Sequence, residues 1–433
     1  MTGLRRLLAV AVAVVAVVVP FAGSASATND TYFARQWALD QIHAPQAWSR
    51  STGSGITIGI VDTGVDLTHP DLVGKVAASA DCVGHPCVLG GGQDTHGHGT
   101  IVSGIAAAVT NNGRGVAGVA PDARLVVAKV LNSSGEGRVD DINNGIRWVV
   151  DNGAKVVNLS LGDPNFLVSS VLGTPLRSGI EYAWSKGAVP VLASGNYATG
   201  SGDLGTENYG NLDALVVGAT DRSGAVPTYS SAPGNAKWGL VAPGGAGSGS
   251  ADNNVISTFP LSSGGSGYAS AAGTSMAAPH VSGAVALLLA QGLSPTAAVN
   301  RLLATLDKSS PCGRGCQGRL DVGAAVGADA GPAPTAAPAP TVPRTTVPKV
   351  TTTTRPRATT TVPPSSTTSS TVAPGAAQST DPSQLSSPLP VIVARGGSGP
   401  SSRNPIVVAG AIGLVLGVGA SVGGVGVRRL RAV

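Results

Sequence analysis

The chain has 433 residues, 42% hydrophobic, 12% charged and only 3% aromatic, with a formal net charge of +5. Arg5, Arg6, Arg428, Arg429 and Arg431 at the extreme ends supply much of that excess; no phosphate loop, metal-binding cysteine cluster or basic patch interleaved with aromatics accompanies it, which excludes a nucleic-acid binder. The four cysteines are an even number suited to an oxidising compartment, and residues 28–326 are enough for one α/β domain with a full core.

Residues 1–27 carry Arg5 and Arg6, an apolar run from Leu7 to about Val19 and the small-residue site Ala25-Ser26-Ala27, which predicts a secretory signal cleaved after Ala27. Ile56 to Val61 is a β-branched apolar run that predicts a buried strand, with Asp62 at its end. His98 opens a small-residue apolar stretch that predicts a tightly packed helix over 98–109. Further strands are predicted near 125–130, 155–159, 189–193 and 214–219, and further helices near 139–152 and 175–186. Ser275 to Gln291 reads as a long, nearly all-apolar helix, which must be central. This alternation predicts an α/β fold, a mostly parallel sheet with helices on both faces, and it puts Asp62 and Asn196 at carboxyl ends of strands, where open sheets hold their sites. Short local bridges would join Cys82 to Cys87 and Cys312 to Cys316, with other pairings open.

Over 331–404 the composition shifts to Pro, Thr, Ser and Ala, which cannot bury enough surface to fold and predicts a disordered linker. Pro405 to Val427 carries no charge and is long enough to cross about 30 Å of hydrocarbon. With the arginines that follow, it predicts one transmembrane helix over 405–427, a cytoplasmic tail over 428–433 and the folded domain outside the cell membrane. Gly413 and Gly417 have the spacing that lets such helices pack closely, so a dimer through the span is a further expectation.

The chemistry centres on Gly273-Thr274-Ser275-Met276-Ala277-Ala278-Pro279-His280, which sets a serine between a tight turn and an apolar helix. A serine hydroxyl needs a histidine as base and a buried carboxylate to hold that histidine's tautomer. His98 and Asp62 are the candidates. The order Asp, His, Ser in these contexts resembles the subtilisin-like serine proteases, the subtilases. The resemblance implies a subtilisin-like fold and a serine endopeptidase acting on protein or peptide substrates, with Asp62, His98 and Ser275 as the catalytic triad. It also implies that Asn196, at the end of the run from Val189, is the oxyanion donor beside the Ser275 backbone N–H. Val156 to Gly162 resembles the family's strand that pairs with an extended substrate, with Ser160, Leu161 and Gly162 lining the first specificity pocket. The family places the base immediately before Gly-Thr, which selects His98 over His96 and leaves His96 on the rim.

Asn29 to Phe33 and Ile42 to Trp48 are similar to the N-terminal segment of thermitase-type subtilases, and the likeness continues to about Val326. Ala106 to Val116 resembles the loop by which that group holds calcium. It implies a structural Ca2+ bound by the side chains of Asp30, Asp71 and Asn112 and the carbonyls of Val109, Arg114 and Val116. The thermitase-like segment follows the predicted cleavage site at once, so no large propeptide is expected. The layout of signal, protease domain, Pro-rich linker, span and basic tail resembles the mycosins, whose role in a secretion apparatus implies an alternative: an assembly or scaffold component in which proteolysis is secondary.

Overall fold

Ile58 and Ile60 face one side of a sheet while Val61, the next residue, faces the other, and all three are fully buried. This strand, β1 (Thr57–Asp62), is apolar on both faces because both are covered, as parallel strands require. It pairs in parallel with β4 (Arg124–Lys129) and with β6 (Val156–Leu159). Beyond β4 lie β2 (Val76–Asp81) and the short antiparallel edge β3 (Val88–Leu89). On the other side β6 is followed by β8 (Val189–Ala193), β9 (Leu215–Thr220), β10 (Trp238–Pro243) and β13 (Cys316–Arg319). The resulting order is β13-β10-β9-β8-β6-β1-β4-β2-β3, parallel except at β3.

The computed structural model describes residues 28–162, 174–196, 209–261, 265–309 and 311–328, together with the backbone of Val391–Val393 and Arg429–Ala432. All belong to one of two compact units, Met1–Pro332 with Leu389–Val433; the other, Ala333–Pro388, lies outside the described residues. The helices are α1 (Trp37–Gln41), α2 (Ala44–Ala47), α3 (His98–Ala107), α4 (Val139–Asp151), α5 (Arg177–Ser185), α6 (Thr274–Ala290), α7 (Pro295–Ala304) and α8 (Val322–Val326). One face of the sheet packs on α3 and α6 through Ile58, Ile60, Leu125, Val127, Val191 and Val217. The other packs on α4 and α5 through Val61, Val126, Ala128, Val157, Leu192 and Val216. Alternate strand residues thus feed two cores, each such side chain contributing about 1.5–3 kcal/mol on burial. Helix α6 is buried along nearly its whole length, as its all-apolar sequence requires.

Five predicted strands and four predicted helices stand where expected, α3 ending at Ala107 where Ala108 turns to extended backbone. Not foreseen were β2, β10, β13 and the antiparallel hairpin of β11 (Val255–Leu261) and β12 (Gly265–Ala272), whose first strand packs along α3. Its second strand is made almost wholly of Ser, Gly and Ala, and its first sets Ser257, Thr258 and Pro260 among apolar residues, so neither shows a clean apolar alternation. Both local disulfides form, Cys82–Cys87 between β2 and β3 and Cys312–Cys316 at the start of β13.

Two short segments of the C-terminal part pair with strands of the domain. Within the segment expected to be disordered, Val391–Val393 forms β14, parallel to β12. Arg429–Ala432, expected as a cytoplasmic tail, forms β15, antiparallel both to β5 (Glu136–Arg138) and to β7 (Leu161–Gly162). Those two strands present unpaired edges across a slot one strand wide, and an extended segment satisfies both. A tail across a membrane from this domain could not reach that slot, so the two are alternative places for the same residues. The signal at 1–27 and the span at 405–427 lie outside the described residues.

Candidate active site

Asp62 ends β1 at the carboxyl edge of the sheet and is fully buried. Its Oδ1 accepts from the Thr63 backbone N–H at 2.7 Å and from His98 Nδ1 at 2.8 Å. With Nδ1 donating to a carboxylate, Nε2 of His98 is left as the basic nitrogen. His98 is the first residue of α3, and the turn before it needs a left-handed residue, Gly97, at φ 103°. Gly99 lies so close to the chain leaving β1 that an added Cβ would stand 2.1 Å from the Gly64 carbonyl oxygen.

A second buried carboxylate, Asp94, ties these pieces together. Its Oδ1 accepts from the Thr63 hydroxyl at 3.0 Å and from the N–H groups of His96 and Gly97 at 2.9 Å each. Its Oδ2 accepts from the Thr100 N–H at 3.0 Å and the Thr100 hydroxyl at 2.6 Å. The Thr63 hydroxyl accepts in turn from the Gly99 N–H at 2.9 Å, so the residue after Asp62 is fastened to the helix turn that carries His98. Lys129 Nζ donates to the Thr63 and Leu131 carbonyls beside them, and burial pulls its pKa below the ordinary lysine value against the attraction of Asp94, Asp81 and Asp62. Neither Thr63 nor Asp94 was foreseen; an aspartate just ahead of a helix start is a capping signal that could have found Asp94.

Ser275 is the second residue of α6, fully buried, with its hydroxyl 3.4 Å from the Ser160 carbonyl oxygen to which it donates. Asn196 stands beyond the end of β8, after Gly195 at φ 102°. Its Oδ1 accepts from the Thr274 N–H and the Thr274 hydroxyl, both at 3.0 Å. Its Nδ2 is buried without a hydrogen-bond partner. Such a donor, held in place through its other end and left unpaired, is disposed to meet a developing oxyanion. Ser160, Leu161 and Gly162 follow β6 on the same edge, all buried, and β7 lends its edge to the slot shared with β5. His96 is exposed with its ring centroid 6.3 Å from that of His98, a rim position.

The six residues expected to hold calcium lie together. Asp30 accepts from the N–H groups of Asn111 and Asn112 at 3.0 and 3.1 Å, and Asp71 accepts from Asn112 Nδ2 and the Val116 N–H at 2.9 Å each. The Val109 N–H reaches the Asp71 carbonyl at 2.8 Å, and the Arg114 N–H reaches Asn112 Oδ1 at 2.8 Å. Asp30 is 5% exposed and Asp71 0%. None of the ion pairs among the described residues uses either carboxylate. Two buried carboxylates paired with no cationic side chain are the donor type that a hard cation takes. The described residues hold no cluster of three or more His, Cys, Asp or Glu, so a calcium here would depend on the amide and backbone oxygens as well.

The profile of the subtilase family matches residues 53–313. The chain belongs to the subtilase family. It is 40% identical over 300 residues to thermitase from Thermoactinomyces vulgaris, a match covering 69% of this chain and 98% of that protein. It is 38% identical over 288 residues to a thermophilic serine proteinase from Bacillus sp. (strain AK1), covering 66% of this chain and 65% of that one. Among solved structures, a protease of Pseudoalteromonas arctica PAMC 21717 superposes with a TM-score of 0.62 at 31% identity, covering 70% of this chain and 99% of that one. The subtilisin-like fold and serine peptidase class implied by the sequence therefore hold, and this subtilase resembles thermitase along nearly the whole of that relative.

Proposed function

We propose that this subtilase is a secreted, membrane-anchored serine endopeptidase working through Asp62, His98 and Ser275. The observation that carries the reading is the Asp62–His98 bond at 2.8 Å, on the same carboxyl edge of the sheet as Ser275 and Asn196. Asp62 holds the imidazole through Nδ1, which makes Nε2 the nitrogen that takes a proton. His98 receives the Ser275 proton as the hydroxyl oxygen attacks the peptide carbonyl, and returns it to the leaving amine. The Asn196 Nδ2 and the Ser275 N–H, at a helix N-terminus, stabilise the oxyanion of each tetrahedral state. Water then releases the acyl-enzyme by the same route reversed. An extended substrate lies between β5 and β7, bonded along its backbone; the chain's own β15 occupies that slot in antiparallel register, which supports this mode of binding.

Asp30, Asp71 and Asn112, with the carbonyls of Val109, Arg114 and Val116, would hold a calcium ion whose charge neutralises the buried carboxylates and braces the loop after α3. Secretion rests on the leader over 1–27, and anchoring on the uncharged run over 405–427. The test is labelling of the full chain by a fluorophosphonate probe beside Ser275→Ala, with fractionation of cells. Labelling that requires Ser275, in the membrane fraction, is expected. A folded wild type that does not label overturns the catalytic reading, and a fully soluble product overturns the anchor.

A further inference from the structure

Helix α6 carries a proline inside it, Pro279, one turn after the serine. A helical N–H at 279 would reach back to the carbonyl of Ser275; proline has none, so that carbonyl loses its helical partner. A side chain from another element takes the place. The Ser160 hydroxyl donates to the Ser275 carbonyl at 2.8 Å. Ser160 Oγ accepts from Asn158 Nδ2 at 2.9 Å, and Asn158 Oδ1 accepts from the Ser282 hydroxyl at 2.8 Å. Ser282 lies two turns along the same face of α6, so the relay leaves the helix at Ser275, runs through the end of β6 and returns to the helix. The side chains of Asn158, Ser160, Ser275 and Ser282 are each 0% exposed, and every polar group in the chain has its partner.

This arrangement does more than satisfy a carbonyl. A continuous helix would have paired Ser275 O with its own backbone and left the helix end indifferent to where β7 lies. With proline at 279 the bond goes instead to the residue whose own carbonyl faces the Ser275 hydroxyl at 3.4 Å and whose neighbours form the substrate-pairing edge. We propose that Ser160, held by Asn158, is a positioning residue that locks the attacking serine onto the substrate edge through the carbonyl Pro279 leaves free. The inference rests on reading Ser275 as the nucleophile.

The test separates satisfying a carbonyl from positioning a nucleophile. In the full chain, Ser160→Ala leaves Ser275 O without a partner, whereas the double variant Ser160→Ala/Pro279→Ala restores one from the helix itself. The single variant is expected to lower both the melting temperature and kcat, the latter about tenfold or more, with KM on a peptide substrate within about twofold. In the double variant the melting temperature should recover while kcat stays low, because the bond across to β7 is still absent. Asn158→Leu should lower kcat in the same direction, and Ser160→Thr, which keeps the hydroxyl, should retain more activity than Ser160→Ala. Recovery of kcat together with stability in the double variant, or a folded Ser160→Ala with unchanged kcat, would overturn the inference while wild-type labelling at Ser275 still stood. A wild type that does not label overturns this inference and the catalytic reading together.

Discussion

Replacing Asn196 by alanine should cost catalysis far more than folding. The side chain has divided duties: Oδ1 is held by the Thr274 N–H and hydroxyl at 3.0 Å each, whereas Nδ2 is buried and bonds to nothing in the resting site. The unpaired end gives nothing to the ground state, so its interaction with a developing oxyanion would fall entirely on the transition state. Loss of one such donor costs about 2.7–4 kcal/mol, or about 10²–10³ in kcat, with little change in KM. The held end sets the structural cost, two hydrogen bonds at about 0.5–1.5 kcal/mol each. Asn196→Asp sharpens the test, because it keeps an acceptor for Thr274 and removes the donor: its kcat should fall as far as that of alanine with a smaller loss of stability. The assay is steady-state hydrolysis of a peptide substrate beside thermal melting. Folded variants that keep kcat within about threefold of wild type would refute the assignment of Nδ2 to the oxyanion.

Calcium at about 100 times its dissociation constant should stabilise the fold by about 2.7 kcal/mol, and Asp71→Asn should remove most of the difference between calcium and chelator; identical melting curves in both would refute the site. His280 is buried and donates from Nδ1 to the Met276 carbonyl, and burial pushes its pKa down to about 4. Because the unfolded chain takes up that proton near pH 6.5 and the folded one does not, the neutral ring's stability is present above that pH. It is lost as pH falls through about 4, a swing of roughly 3 kcal/mol. His280→Gln should flatten the acid side of the melting profile, and parallel profiles would count against this. Gly99→Ala, whose Cβ would meet the Gly64 oxygen at 2.1 Å, should drive the start of α3 away from Asp62 and lower fluorophosphonate labelling by about 100-fold; labelling at the wild-type rate would show that the backbone gives way elsewhere.

The sequence was most legible where one residue type does one job at a fixed spacing. The buried parallel strands announce themselves because both faces are apolar, and Asp62, His98 and Ser275 stand out because each sits where such a strand or helix begins or ends. The hairpin of β11 and β12 was illegible for the opposite reason: it meets α3 through polar side chains, Ser257 and Thr258 donating to the carbonyls of Ile101 and Thr100. There polar residues do the work that apolar alternation does elsewhere, and a periodicity count misses them.

The same distinction explains which parts of the site were invisible. Asp94 and Thr63 fasten the Asp62–His98 pair through each other and through the N–H groups of His96, Gly97, Gly99 and Thr100, which no sequence displays. Pro279 is the extreme case, since its contribution is a donor that is missing, and its consequence appears at Ser160, far away in the chain. A proline inside a helix reads locally as a defect costing about 3 kcal/mol. In this fold the defect falls one turn after the serine, so the carbonyl it releases is the serine's own. The residue that bonds that carbonyl, Ser160, stands between β6 and β7, on the edge proposed above to pair with a peptide. Placed one residue later, the proline would release the carbonyl of Met276 instead, and the tie between the serine and the substrate edge would have no backbone group to form on.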